Sequence, residues 1–405
     1  MAEYDNLAKS GIMRTIEDYA MGINFSRAMS VKYGKLLNDA AATKSYTAIA
    51  VGRVMTCVLG MVVIREREIR NFAETPFYRV VGEFLPESVE TEETVTAEWK
   101  AVNGSKYFES PLLYKENGFK KRESAENLIG GLDGKQAVAK SLERGTSRKK
   151  APLLFNLAEL QAECSKRYKI SPDETLQVAQ DLYEKKLTTY PRTDARVLST
   201  AVAKEIGKNL NRLKTYEPTK TYAERILKEG TYRNIARTQY TDDSKITDHY
   251  AIIPTGQGFG ALRSLNPLAA KVYELIGRRF LSIFYPPAVY QKFSLRIEKQ
   301  GEQFFAAYKV LAEAGYLEVA NVPSKKKAES SGNSKAENSG ASQDSQAEEL
   351  DPGHDEKAKD LLAMLSGLKK GQKLKLLKLE IKEGETSPPK RYTSGSMILA
   401  MENAG

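Results

Sequence analysis

The sequence predicts a multidomain α+β protein, mainly helical with a β-rich part, and three observations carry that prediction. The chain has 405 residues, more than one compact core accommodates and enough for several domains. Apolar residues recur at helical spacing through most of its length, but the texture turns strand-like near 76–120 and 290–310. A polar tract at 324–357 has no periodicity at all.

The elements follow in order. Residues 1–42 read as helix, with Met13, Ile16, Tyr19, Ala20, Ile23 and Ala28 at helical spacing. A second helical stretch, Ala48–Phe72, runs from an apolar start into the charged segment 65–70. Tyr78–Val81, Thr94–Thr96 and Lys106–Phe108 suggest strands joined by charged turns. Gly130–Lys135 resembles a phosphate loop only superficially: the first glycine is missing, and Gln136 stands where a magnesium-binding Ser or Thr belongs. Residues 151–215 read as a helix-turn-helix. Leu154, Leu157, Leu160 and Cys164 mark an apolar face, and Ser171-Pro-Asp-Glu174 forms a capping box with proline at the first helical position. The helix that follows ends near Lys186. Another amphipathic helix, 268–285, breaks at Pro286-Pro287 and leads into two strands, Tyr290–Ile297 and Gln303–Val310. Residues 324–357 bury too little apolar surface to offset their ordering entropy and read as a disordered linker. Structure resumes at Ala358–Leu368.

Composition narrows the function. Lys and Arg number 62 against 52 acidic residues, a net charge of +10 that favours a polyanionic partner. Cys57 and Cys164 are the only cysteines and build neither a disulfide framework nor a zinc site, which points to a reducing cytoplasm. No apolar run reaches membrane-spanning length and the N-terminus lacks a signal-peptide pattern, so no membrane association is expected.

The chemistry concentrates in Leu187-Thr-Thr-Tyr-Pro-Arg-Thr-Asp194. A phenol held beside a guanidinium suits phosphodiester transesterification: the tyrosine oxygen attacks phosphorus and the arginine fork binds the phosphate oxygens. Taken alone, the string reads more readily as a tyrosine packed at a helix end, with proline opening a turn and Arg192 solvated; only other matches along the chain overturn that. Of the two histidines, His354 falls in the polar tract. His249 lies in Thr247-Asp-His-Tyr-Ala-Ile-Ile-Pro-Thr255, where it is either structural or a phosphate-binding, proton-handling group.

Four segments together resemble the type IA DNA topoisomerases, and within them the topoisomerase III group. Thr189–Asp194 is similar to the active-site tyrosine motif, and Asp248–Thr255 to the family's His-x-Ala-Ile-x-Pro-Thr element. Gly52-Arg-Val-Met-Thr56, followed by Val63–Ile69, resembles the helix of the single-strand binding groove. Pro388–Asn403 resembles a Pro-Pro-x-Arg helix entry. They occur in the family's order and span nearly the whole chain. Met55 replaces a usual DNA-bonding glutamine with a weak acceptor; Cys57, Ala195 and Tyr250 are further departures.

The resemblance implies a toroidal core. Tyr190 would be the nucleophile of a 5′-phosphotyrosine link, Arg192 would neutralise the scissile phosphate, and His249 would contact a phosphate near the break. Arg53, Thr56 and Arg391 would lie along the single-stranded DNA groove. It further implies a monomer that cuts and reseals one strand without ATP, with a possible helicase partner left open. The implied domains are a groove domain from 1–74 and 358–405, a β-rich arch from 75–150 and 286–323, and a helical tyrosine domain from 151–285. Magnesium would be bound by an acidic Toprim module outside these residues, with no metal bound by this chain, so the chain reads as a fragment that by itself does not cut. The alternative is a catalytically incomplete single-stranded-DNA-binding remnant. A duplex-reading helix-turn-helix regulator on 151–215 is a third reading.

Overall fold

The computed structural model describes residues 4–40, 48–87, 93–132, 134, 136–320, 348–350 and 356–403. They fall into two compact bodies, residues 1–72 with 388–405 and residues 73–387.

The first body is helical. Helix α1 (Asp5–Glu17) passes through a π-helical turn at 18–23 into α2 (Asn24–Ala40), and α3 (Arg53–Arg70) follows. The segment before α3 is pinned along α2, because Ser30 Oγ accepts from Ile49 N (2.8 Å) and Ser26 Oγ accepts from Val51 N (2.8 Å). The terminal helix of this body, Ser394–Glu402, opens with a capping box between Thr393 and Ser396. The preceding segment is clamped to α3 by Arg65, which donates to Lys390 O and Tyr392 Oη and stacks on the Tyr392 ring at 4.3 Å.

The second body opens with β1 (Pro76–Pro86), β2 (Val95–Lys100), β3 (Leu113–Lys115) and β4 (Gly118–Phe119). Helix α4 (Arg122–Gly130) and β5 (Gln136–Lys149) come next. Four longer helices then form its helical part: α5 (Leu157–Tyr168), α6 (Pro172–Glu184), α7 (Thr200–Leu213) and α8 (Lys220–Glu229), joined by α9 (Pro267–Ser282) after a run of short helical turns. The chain returns through β6 (Ala288–Lys299), β7 (Glu302–Glu313), the short α10 (Leu317–Ala320), β8 (Glu348–Leu350), α11 (Glu356–Gly367) and β9 (Lys373–Glu385).

Six of these strands close a ring in the order β1, β2, β7, β6, β5, β9 and back to β1, with every neighbour antiparallel. Period-two alternation sends Val80, Phe84, Trp99, Ile297 and Phe304 into one core at 0 % exposure. Burying each such large side chain contributes about 1.5–3 kcal/mol. Trp99 stacks on Phe119 (4.9 Å between centroids), and Phe84 meets Phe304 edge-on (5.3 Å). Gly82 is required here, since a Cβ would lie 2.6 Å from the Phe84 ring.

Lys106–Phe108, expected as a strand, forms turns instead. The buried Glu302 carboxylate captures this segment, accepting from Trp99 Nε1 (2.7 Å) and Lys106 N (3.0 Å), while Tyr107 packs edge-on against Trp99 and Phe119.

A larger difference concerns 358–387, expected with the groove segments of the first body. Leu361, Met364, Leu365 and Leu368 pack into the barrel core, and β9 is a stave paired along the whole of β1. Arg144 on β5 donates to the Leu365, Ser366 and Leu368 carbonyls and satisfies the C-terminus of α11. Only 388–405 joins the first body. The expected linker, 324–357, lies mostly outside the described residues; within it, β8 runs parallel to β7.

The helical part has two cores of its own. One gathers Ile206, Leu210, Ile226, Phe280, Tyr316 and Val319; the other gathers Phe155, Leu160, Cys164, Leu182, Leu187 and Ile276. The chain passes between barrel and helices at paired positions, because Lys149 and Ala288 are the last partners of the β5–β6 ladder. The end of β7 stays beside them, with Tyr316 N donating to Pro286 O (2.9 Å).

Candidate active site

The site is built from the end of α6 outward. The helix begins with the predicted capping box: Ser171 Oγ accepts from Glu174 N (3.2 Å), and Glu174 returns a bond to Ser171 N (2.8 Å). It ends in a Schellman motif. Lys186 adopts the left-handed conformation (φ 60°), and Leu187 N reaches back to Leu182 O (2.9 Å). Leu187 is fully buried and fixes the direction in which the chain leaves. Gly258 packs over this turn with φ +71°; a Cβ there would sit 2.2 Å from Lys185 O.

The following loop is knitted to residues 249–255. Thr188 bridges Pro254. Thr189 N donates to Ile253 O, its Oγ1 donates to Ala251 O, and the same Oγ1 accepts from Ile253 N, all at 3.0 Å. Thr193 Oγ1 donates to His249 O (2.8 Å) and accepts from Ala195 N (3.1 Å). From the other side, Leu157 N donates to Thr193 O (3.1 Å), and Asn156, which caps α5, donates to Asp194 O (3.1 Å).

Tyr190 lies between these two threonine anchors, half-buried. Its ring centroid is 4.5 Å from that of His249 and 5.4 Å from that of Tyr183, which meets it edge-on. The folding of the two motifs onto each other therefore joins residues that stand far apart in sequence. Arg192 is exposed, and among the described residues no ion pair occupies its guanidinium. Arg196, four residues on, is held by Glu159 at 2.7 Å. A cavity of about 480 Å³ opens beside Tyr190, with Tyr183, Lys186, Thr188, His249 and Tyr250 on its walls.

The other three predicted residues lie in the first body. Arg53 makes a two-pronged contact with Asp18 (2.7 and 3.1 Å) and lies 3.6 Å from Glu17. The hydrogen bond from Arg53 lowers the Asp18 pKa, and that bond raises the Arg53 pKa in return. Thr56 is exposed in the first turn of α3, its N–H bonded to Gly52 O (2.9 Å). Arg391 is exposed and paired through both guanidinium nitrogens with Glu66 (2.5 and 3.1 Å).

Sequence reasoning passed over Tyr183, Thr188, Thr189 and Thr193. The two threonines flanking Tyr190 carried a signal, since short hydroxyl side chains beside a reactive loop residue commonly bond neighbouring backbone. Tyr183 carried none: at helical spacing it reads as part of the α6 face.

Magnesium is implied by the resemblance. Among the described residues no group of three or more His, Cys, Asp or Glu side chains could hold a metal ion. The residues around Tyr190 do not fit a magnesium site, and no step is assigned to one here. Among the same residues, no helix is long and apolar enough to cross a membrane.

The fold agrees with the comparisons. The family model described as DNA topoisomerase matches residues 2–405, and the chain belongs to the type IA DNA topoisomerase family. It is similar to DNA topoisomerase 3 of Bacillus licheniformis, 31 % identical over 402 residues that cover 99 % of this chain and 46 % of the relative. DNA topoisomerase 3 of Bacillus subtilis is also 31 % identical, with 99 % and 47 % covered. Among solved structures, the full-length topoisomerase I of Thermotoga maritima shares the fold, with a TM-score of 0.61 at 21 % identity, covering 97 % of this chain and 52 % of that one. The chain thus spans about half the length of the relatives it matches.

Proposed function

We propose that this chain supplies the nucleophile and phosphate-binding residues of a type IA topoisomerase, which cuts one DNA strand, passes another through the break and reseals it. The carrying observation is the Tyr190–His249 pair, its rings 4.5 Å apart, with Arg192 two residues on and in no ion pair among the described residues.

The phenolic oxygen of Tyr190 attacks phosphorus, forming a Tyr–O–P bond and breaking the bond to the 3′-oxygen of the preceding nucleotide. The phenol loses its proton and the departing 3′-oxygen gains one, so the exchange is balanced. Resealing is the reverse step and requires no ATP. Arg192 binds the phosphoryl oxygens, where an unpaired guanidinium serves best because charge develops there. His249 contacts the same phosphate from the opposite motif. The threonine anchors hold the loop, so positioning is settled before substrate arrives. Magnesium, when bound by an acidic module, would supply further charge stabilisation.

Single-stranded DNA is the partner in this reading, with Arg53, Thr56 and Arg391 in its groove. The ion pairs on Arg53 and Arg391 mean that phosphates would displace Asp18 and Glu66 there. A toroidal arrangement, a monomeric state and a cytoplasmic, DNA-associated location belong to the same proposal.

The test is incubation of the gene product with single-stranded oligonucleotide and magnesium, followed by denaturing electrophoresis. A covalent adduct that Tyr190→Phe abolishes is expected; an undiminished adduct in that variant sinks the assignment. Salt-dependent oligonucleotide binding without any adduct supports instead the reading of a single-strand-binding remnant.

A further inference from the structure

We propose that the cavity beside Tyr190 is a nucleobase pocket, which takes the first base of the strand whose 5′ phosphate becomes bonded to Tyr190. The proposal rests on the reading of Tyr190 as nucleophile and deepens it by naming what the neighbouring cavity holds.

Size and lining come first. A volume of about 480 Å³ lies within the span of small-ligand pockets, roughly 300–1,000 Å³. Tyr183, Tyr190, His249 and Tyr250 offer ring faces and edges from three separate segments of the chain. Such surfaces stack on bases of any sequence, because every base has a π-face. Tyr183 meets Tyr190 edge-on, with 77° between the ring planes, and His249 lies 4.5 Å from Tyr190 at 47°, so the three rings present surfaces in different directions.

The second observation concerns the hydroxyls. Four threonines line or anchor this site. Thr189, Thr193 and Thr255 all use their hydroxyls: Thr189 bonds Ala251 and Ile253, Thr193 bonds His249 and Ala195, and Thr255 bonds Leu187 and Gln257. Thr188 lines the cavity at 1 % exposure, and its Oγ1 has no hydrogen-bond partner. A buried hydroxyl left unpaired is unfavourable, and rotation about χ1 lets it meet a ligand's polar edge. Glu184 and Gln257 on the lining add an acceptor and an amide for the edge of a base, and Lys186 adds charge for the backbone that carries it.

The third observation is covalent. A nucleotide joined through its 5′ phosphate to Tyr190 has its base within one sugar of the phenol. The cavity has Tyr190 itself as a wall, so that base has a place to go with no further movement of the strand.

The experiment measures binding of 5′-phosphorylated single-stranded decanucleotides by fluorescence anisotropy, removing one base at a time. Loss of the first base is expected to weaken binding about tenfold, in line with one lost stacking site. Loss of the fifth is expected to have little effect. A 2-aminopurine at the first position should be quenched on binding, and one at the fifth should not. Tyr183→Ala should remove the tenfold difference; Tyr183 is partly exposed, so its loss leaves the cores intact. The base scan on the unaltered protein decides the matter even if that variant misfolds. Equal, small effects at every position overturn the pocket and leave single-strand binding standing. A step found instead on scanning from a 3′-hydroxyl end also overturns it. No oligonucleotide binding at low salt overturns both the pocket and the function on which it rests.

Discussion

At the residue scale, the contrast among arginines is the most informative feature. Arg53, Arg196 and Arg391 are each paired with a carboxylate, whereas the exposed Arg192 has none among the described residues. Under the proposed function, a guanidinium left free two residues from Tyr190 is available for phosphate. Arg192→Ala should therefore lower adduct formation by about 10²–10³-fold, the loss typical of a removed charge-stabilising donor. Arg192→Lys should recover only part of it, because an ammonium lacks the planar fork. Quantified adduct on oligonucleotide checks both. Thr189 makes a separate prediction. Its hydroxyl serves Ala251 and Ile253 together, so Thr189→Val leaves buried backbone groups unmatched. The expected cost is about 1–3 kcal/mol, read as a lower urea midpoint. The Tyr190 and His249 motifs were legible as segments worth pairing, and the structure brings their rings to 4.5 Å. The unpaired Thr188 hydroxyl was not legible, since whether a hydroxyl finds a partner depends on residues far along the chain.

At the element scale, helix ends were the most legible features. Ser171 caps α6 as its spacing predicts, and Ser171→Ala should cost about 1 kcal/mol. Asp243 is a cap the local pattern hides: from a distant turn it accepts from Thr200 N (2.8 Å) and Thr200 Oγ1 (2.6 Å) at the start of α7. Those bonds, the side-chain one first, lower its pKa below the ordinary 3.8. A carboxyl lowered in the folded state stabilises above its unfolded value and loses that contribution as pH falls through the lowered folded value. The gap in Tm between the native chain and Asp243→Asn should thus be full at pH 6 and narrow on acidification below the carboxylate range. The strands β5 and β9 were not legible. The first half of β5 alternates, but its outer half and the exposed side of β9 carry charges that read as loop. Only the ring's long-range pairing makes staves of them.

At the scale of the whole molecule, barrel and helices keep separate cores within one body. The sequence has one tryptophan, Trp99, buried in the barrel. Tryptophan emission therefore reports the barrel, and far-UV circular dichroism reports mainly the helices. Thr189→Val should move the dichroism transition in urea and leave the emission transition near its native midpoint; equal shifts in both would mean that the two cores unfold as one. The switch from α9 to β6 was readable from the change of periodicity at Pro286-Pro287. The return of 358–387 to the barrel was not readable, because β9 finds its partner β1 across most of the chain.

The last ladder rung of β5 and β6, Lys149 with Ala288, and the bond from Tyr316 to Pro286 place three chain crossings at one rim of the barrel. A pull on the helices enters through three neighbouring staves at once. Those staves share it as a bundle through the long β5–β6 and β6–β7 ladders, while β9 and β2 on either flank join through three pairs each. Unzipping β6 would have to break both of its long ladders, to β5 and to β7. The barrel is thus a rigid mount for the helices, and in a force spectrometer it should yield after the helices it holds.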